Sequence, residues 1–392
     1  MKSHKLNNFV ALMDFSISLQ SLSIFEQILA VTFLVSAAIQ IIYYFLVFSK
    51  LAFYKEDKNQ DAEQLPVSVV IAARDEDYNL QKNLPSILNQ QYPDFEVVVV
   101  NHASNDNTSD ILKDLQFKYS NLKIVTIEQD LNFFKGKKFP LSIGIKSAKN
   151  EILLLTDADC KPTSDRWIES MASNYTSKTE IVLGYGPYNK SGGFLNLLIR
   201  YDTFMIALQY FSFALLGMPY MGVGRNLSYR KSTFYKNKGF TSHYNIPSGD
   251  DDLFIKEVST RSNTKVELSG SSFMYSNPKQ NFKNWLQQKQ RHLSTGKVYS
   301  PLFKVLLGSY SLSQLLFYIS LIILLSKTIL IIPTLAVMII TISSRMFIQK
   351  KAASKLGENQ ILLFSLFGDI LYTLLLPLVT IISLTRKSVN WK

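Results

Sequence analysis

Apolar residues in this chain fall into runs of two lengths, and the lengths separate two environments. Residues 27–49, 305–326 and 328–344 carry no charged side chain, and 359–385 carry only Asp369. Each run is long enough, or nearly so, to cross about 30 Å of hydrocarbon as a helix. The pattern predicts an integral membrane protein. It has an N-terminal segment over 1–24, an anchor over 25–49, a body over 60–300, and a C-terminal membrane region over 303–387 with segments at 305–326, 328–347 and 360–385. The first run is too long for a signal-peptide core and lacks a small-residue cleavage site, so it reads as a retained anchor.

Within the body the runs shorten to strand length and end in polar clusters, the mark of strands buried on both faces. Strands are predicted at 66–73, 95–100, 122–127 and 151–156, alternating with helices at 79–90, at 107–119 and after Gly136-Lys137-Lys138. Ser104 or Asn105 is positioned to cap the second helix, and Pro140 is tolerated in the first turn of the third. Strands alternating with helices give βαβ units, hence an α/β fold with a doubly wound, mostly parallel sheet. Residues 194–216 are apolar but interrupted by Arg200, Asp202 and Gln209. Those charges argue against a span. They leave a helix lying in the headgroup layer, as a floor for a lipid acceptor, or an amphipathic core helix.

Charge sets the orientation. Lys50, Lys55 and Lys58 follow the first run and Lys350, Lys351 and Lys355 separate the third from the fourth, so the positive-inside rule puts both groups and the body in the cytoplasm of an inner membrane. The turn at Ser326-Lys327 then lies outside. Simple parity would put Arg386, Lys387 and Lys392 outside as well, against the rule. Either Pro377 breaks the last run into a re-entrant hairpin or 305–326 lies along the interface. The net charge of +12 fits a surface held against anionic lipid. No aromatic–basic interleaving supports nucleic acid as a partner. The single cysteine, Cys160, rules out an internal disulfide or a cysteine-built metal cluster and is consistent with a reducing cytosol. A transporter would need charges within its spans, and apart from Asp369 these runs carry none.

The candidate chemistry gathers where the strands end. Asp157 and Asp159 follow the fourth strand at i and i+2, in the crevice where parallel sheets bind ligands. Two close carboxylates there suit a hard divalent cation that also holds phosphates. Arg74, Glu76, His102 and Lys137 fall at the same edge, a mixture able to hold a diphosphate. There is neither a GxxxxGK[ST] nor a GxGxxG pattern, which sets aside P-loop and standard dinucleotide-binding units. Further on, Asp250, Asp251 and Asp252 are adjacent. Their mutual repulsion would raise at least one pKa, as a base requires, although Asp also favours helix starts.

These motifs resemble, over about residues 65–300, the family 2 glycosyltransferases of GT-A fold, in their membrane-bound branch. The strand closing on Ala73-Arg74-Asp75-Glu76 resembles that family's first turn. Gly136-Lys137 resembles its GK element, and Thr156-Asp157-Ala158-Asp159 its D-x-D. Gly222-Val223-Gly224-Arg225-Asn226 resembles its G-x-N turn, Ser248-Gly249-Asp250-Asp251-Asp252 its G-[ED]-D, and Gln288-Lys289-Gln290-Arg291-His292 its Q-x-x-R-W. The resemblance implies a metal-dependent (Mg²⁺ or Mn²⁺), inverting transfer from a UDP- or GDP-sugar. Asp159 would bind the metal, and Asp157 would contact the donor and share the metal. Asp251 would be the base, with Asp250 its acidic neighbour. Ala73, Arg74, Glu76, His102 and Lys137 would hold the nucleotide sugar; Asn226, Gln288, Arg291 and His292 would serve the acceptor and diphosphate. Helix 280–293 puts Trp285, Gln288, Arg291 and His292 on one face, with Trp285 and Arg291 as membrane-interface contacts in the plainer alternative.

Two departures bear on the substrate. Asn101-His102 stands where the family has Asp-Asp, which presents a different hydrogen-bonding edge to the base. His292 replaces the tryptophan and offers less stacking area for a growing chain, which favours a single transfer to a lipid or lipid-linked saccharide. A processive exopolysaccharide synthase and a non-catalytic nucleotide-sugar-binding membrane protein are the alternatives.

Overall fold

The structure, a computed structural model, describes residues 22–56, 64–129 and 136–385. Lys58 and the terminal cations Arg386, Lys387 and Lys392, together with the segment before residue 22, lie outside the described residues. The four short apolar runs form parallel strands: β1 (Val67–Ala73), β2 (Phe95–His102), β3 (Leu122–Ile127) and β4 (Ile152–Asp157). β5 (Cys160–Pro162) leaves this sheet, whereas β6 (Ile181–Gly184), β7 (Leu227–Arg230) and β8 (Thr264–Glu267) extend it; β9 (Met274–Ser276) pairs with β5. The main sheet has the order β3-β2-β1-β4-β7-β6-β8, with β7 alone running against the rest.

Side-chain alternation explains why the strand sequences are apolar throughout. Val67, Val69 and Ile71 point to one face, against α2 (Asp77–Leu88), α3 (Thr108–Lys118) and α5 (Trp167–Ala172). Val70 and Val98 point to the other, against α4 (Lys138–Ser147) and α6 (Phe194–Leu215). Both faces are covered, so each position of β1 is buried. Shorter helices follow: α7 (Lys231–Lys236), α8 (Asp252–Val258) and α9 (Phe282–Leu293).

Among the described residues, four helices are long and apolar enough to cross a membrane. They are α1 (Ile24–Ala52, with a π turn at Tyr43–Phe48), α10 (Pro301–Ser326), α11 (Ile331–Lys355) and α12 (Leu362–Thr385). Pro377 sits inside one continuous α12, so the re-entrant hairpin is corrected to a single helix. Residues 305–326 form part of one helix packed along α1, with Phe33 and Phe317 stacked at 5.2 Å and Gln40 donating to Ser313 Oγ at 2.7 Å. The inner ends of this bundle are not separate from the body. Phe48 and Leu51 of α1 and Ile348 and Ala352 of α11 belong to the same buried cluster as Val70, Leu153 and Leu183.

Two charges sit inside the bundle, not one. α11 runs on through Arg345, whose Nη1 meets Asp369 of α12 at 2.7 Å and donates to the Tyr318 hydroxyl at 2.6 Å. Tyr201 of α6 also donates to Asp369. A lone charge among apolar helices is costly, and this pairing offsets part of that cost. The helix lying on the surface is likewise corrected. α6 is buried along most of its length, with Arg200 paired to Glu358 at 2.5 Å and Asp202 paired to Lys289 of α9. Its charges face protein partners, not headgroups.

Candidate active site

Strand register brings the site together. Ala72 pairs with Asp157 and Ala73 with Asn101, so β1, β2 and β4 end on one edge. Non-glycine residues adopt left-handed backbone there, Asp75 at φ 52° and Ala103 at φ 47°, the kind of strain that packed surroundings must hold in place. The two loops are stitched: Asp75 N–H donates to Ser104 Oγ at 3.0 Å, and Asn105 N–H donates to Asp75 at 2.7 Å. Neither Ser104 nor Asn105 caps α3: Asn107 holds the N-cap position without a side-chain bond, and Asp106 accepts from Thr108 N–H at 3.0 Å.

Asp157 and Asp159 stand at the centre of this edge. Burial alone would raise Asp157, but the Lys137 ammonium, hydrogen-bonded to it, outweighs burial and holds it low. Asp159 is pushed up by burial and by Asp157, and accepts from Ser276 Oγ at 3.1 Å. The carboxylate oxygens and the Cys160 sulfur lie within 4.8 Å of one another. Burial pushes the Cys160 thiol well up, so it stays protonated and suits a hard cation poorly. The two carboxylates have the donor set that Mg²⁺ or Mn²⁺ takes alongside substrate phosphates.

Gly136 allows the Gly136-Lys137-Lys138 turn to approach the opposite loop. Its φ is +95°, and a Cβ there would meet Pro247 O at 2.2 Å. Lys138, also buried, donates to His243 O at 2.6 Å and Ile246 O at 3.0 Å, and burial pushes its pKa down to about 8. This turn therefore supports the loop that carries the three aspartates. Asp251 is both the N-cap of α8, accepting from Asp252 N–H at 2.8 Å, and the acceptor of Gly224 N–H at 2.8 Å. Burial, then Asp250 and Asp252, push it up to about 8. Asp252 is buried and accepts from Thr295 at 2.5 Å and Tyr299 at 3.0 Å, which ties α8 to the segment after α9.

Asp157, Asp159, Asp251, Gln288, Arg291 and His292 line one cavity of about 630 Å³. Gln288 donates to the Tyr188 hydroxyl at 3.2 Å. Trp285 is buried with Tyr188, Leu198 and Ile199, so its reading as a membrane anchor is corrected to a packing role. Two further expectations are corrected. Asn226 is 0% exposed, accepting from Trp167 Nε1 at 3.0 Å and donating to Tyr185 O and Ser272 O, so its side chain holds the core instead of an acceptor. His102 is 2% exposed, edge-on to Phe139, and presents no edge to a bound base in this conformation. Ala73 is buried and offers backbone alone, while Arg74 and Glu76 are half-buried at the same strand end. Sequence reasoning gave no role to Lys289, Tyr188 or the Arg225 side chain. An unpaired Asp202 within an apolar helix was the available signal for Lys289.

The sequence profile of glycosyl transferase family 21 matches residues 31–392. The chain is 34% identical over 122 residues to poly-beta-1,6-N-acetyl-D-glucosamine synthase of Staphylococcus epidermidis, covering 30% of this chain and 28% of that protein. It is 27% identical over 177 residues to 4,4'-diaponeurosporenoate glycosyltransferase of Staphylococcus haemolyticus, covering 43% and 46%. The chain thus spans under half the length of these relatives. In fold it is similar to the mannosyltransferase PcManGT from Pyrobaculum calidifontis, solved with GDP-Man and Mn²⁺: the TM-score is 0.56 over 89% of this chain and 98% of that one, at 16% identity.

Proposed function

This chain belongs to glycosyl transferase family 21, and from that premise we propose that it transfers one sugar from a nucleotide-sugar donor to the hydroxyl of a lipid or lipid-linked acceptor. It is a glycosyltransferase of family 2 type and GT-A fold, using a nucleotide-sugar donor.

One observation carries the choice of acceptor. The cavity that begins at Asp157 and Asp159 is also lined by Lys304, Leu307, Gly308 and Ser311 of α10 and by Tyr372 and Thr380 of α12. Positions 304, 307, 308 and 311 share one face of a helix long and apolar enough to cross a membrane. A lipid tail lying between these helices would bring its head beneath α9, within reach of Asp251.

In the proposed reaction Asp251 takes the proton of the acceptor hydroxyl as its oxygen bonds to the anomeric carbon. The bond from that carbon to the diphosphate oxygen breaks, and the leaving group keeps the electron pair. A single displacement of this kind inverts the anomeric centre. Asp159 and Asp157 would hold Mg²⁺ or Mn²⁺, which neutralises charge on the diphosphate. Lys137 keeps Asp157 ionised and oriented, and α9 covers the cavity with Gln288, Arg291 and His292. By the positive-inside rule, Lys50 and Lys55 at the end of α1 favour a cytoplasmic body.

The test is the full-length protein in lipid nanodiscs, offered UDP- and GDP-sugars with Mg²⁺ or Mn²⁺ and scored for lipid-linked product. One added sugar per lipid is expected. A long polymer would favour a processive synthase, and binding of donor without any transfer would favour the non-catalytic alternative.

A further inference from the structure

We propose that Arg225 is an anion-binding side chain of this cavity, taking a phosphate group of the donor's diphosphate or of a phosphate-bearing lipid acceptor. The proposal rests on the glycosyltransfer reading and adds a residue to it.

Arg225 reaches the site through strand pairing. β7 runs antiparallel beside β4, with Leu155 opposite Leu227, and Thr156 Oγ1 donates to Arg225 O at 2.8 Å. Arg225, two residues before β7, is thereby held next to Asp157. Its neighbour Gly224 donates to Asp251, so one short turn is bonded both to Asp251 and, through Thr156, to the end of β4. The guanidinium lies over the Tyr188 ring, 4.1 Å from its centre. Gly186 leaves room for it, because a Cβ there would meet Arg225 Cβ at 2.9 Å.

What Arg225 lacks is a counter-charge. Its Nη1 is shut off from solvent and has no hydrogen-bond partner. Asp157 and Asp159 act on it electrostatically, yet among the described residues no carboxylate forms an ion pair with it. Of the buried lysines here, Lys137 is paired to Asp157 and Lys289 to Asp202, and Lys138 donates to two backbone carbonyls. Arg225 is half-buried, and a guanidinium partly withdrawn from water without a paired anion bears a desolvation cost, of which its contact with one tyrosine repays a small part. Arg225 lines the cavity itself. A guanidinium resting over a ring, with a donor left unpaired, is suited to phosphate oxygens, which it can take two at a time.

The test compares wild type, Arg225→Lys and Arg225→Gln as full-length protein in nanodiscs, with binding as the readout. One arm titrates UDP and GDP, with uridine and guanosine as phosphate-free controls. The other titrates a polyprenyl phosphate against the corresponding polyprenol. Arg225→Gln is expected to weaken one arm by on the order of tenfold to a hundredfold, with Arg225→Lys between, as loss of a charge-assisted pair would. The phosphate-free controls should not move, and the arm that shifts identifies the source of the phosphate. Wild-type affinity in both arms of a folded Arg225→Gln protein overturns the proposal. If that variant does not fold, Arg225→Lys decides, and affinity within twofold of wild type in both arms overturns it. Failure of the wild type to bind in either arm overturns the glycosyltransfer reading instead.

Discussion

Asp251 accepts a hydrogen bond from the backbone N–H of Gly224 at 2.8 Å, across 27 residues of sequence. That contact fixes the proposed base against the turn preceding β7, whose partner β4 ends in Asp157. The carboxylate is positioned from two sides, by this bond and by its cap on α8. Asp251→Asn keeps the shape and removes the basicity. Turnover should fall by about 10²–10⁴ while nucleoside diphosphate affinity stays within twofold. Steady-state rates and calorimetric binding on the same preparation check both halves, and unchanged turnover would remove Asp251 from the role.

The pH profile follows from the same burial. A base must be ionised to act, and burial together with Asp250 and Asp252 pushes Asp251 up to about 8. The rising limb of kcat/KM should therefore lie near or above neutrality, with activity lost as pH falls below it. Asp250→Asn removes a neighbouring negative charge, favours the ionised form and should move that limb to lower pH. An unmoved limb in this variant would assign the titration to another group.

Metal use can be read without turnover. Asp159→Asn removes one of the two carboxylates proposed to hold the metal and should raise the Mn²⁺ concentration needed for metal-assisted nucleoside diphosphate binding by on the order of tenfold. Metal-free binding should be unaffected. Equal Mn²⁺ titrations for the two proteins would count against Asp159 as a ligand.

Gly308 offers a plug. A Cβ at this position meets no atom within 4 Å, and the residue lines the cavity from α10. Gly308→Phe places a ring at that open position. KM for the lipid acceptor should rise at least several-fold with donor affinity unchanged; an unaltered acceptor KM would mean that the lipid approaches by another route.

Lys289 holds α9 to α6 through Asp202, both of them 7% exposed in their side chains. Lys289→Met leaves a buried carboxylate without its partner, a change that typically costs about 3–5 kcal/mol. Thermal unfolding in detergent should show a large drop in Tm. The double variant with Asp202→Asn should recover much of it, and no recovery would mean that the lysine stem, not the charge, is what matters.

Much of the fold was legible because burial writes itself locally. A strand covered on both faces is apolar at every position, so β1, β2 and β4 were visible as runs, and the polar residues after them marked the crevice. Asp157, Asp159 and Asp251 could be nominated from spacing and resemblance. Asn226 was misjudged because its side chain is polar, and a sequence does not tell a buried polar group satisfied by the core from one offered to a ligand. Asn226 spends its amide on Trp167, Tyr185 and Ser272.

Composition and periodicity alone determined that long, nearly uncharged helices flank an α/β body and that carboxylates follow its fourth strand, since both depend on neighbours a few residues away. Only the tertiary structure decided which charges are neutralised and which remain for a ligand. Asp202 meets Lys289 across 87 residues and Arg200 meets Glu358 across 158, whereas Arg225 is brought beside Asp157 with no carboxylate of its own. Those pairings depend on the order and direction of packed strands and helices. No window of the chain contains that information.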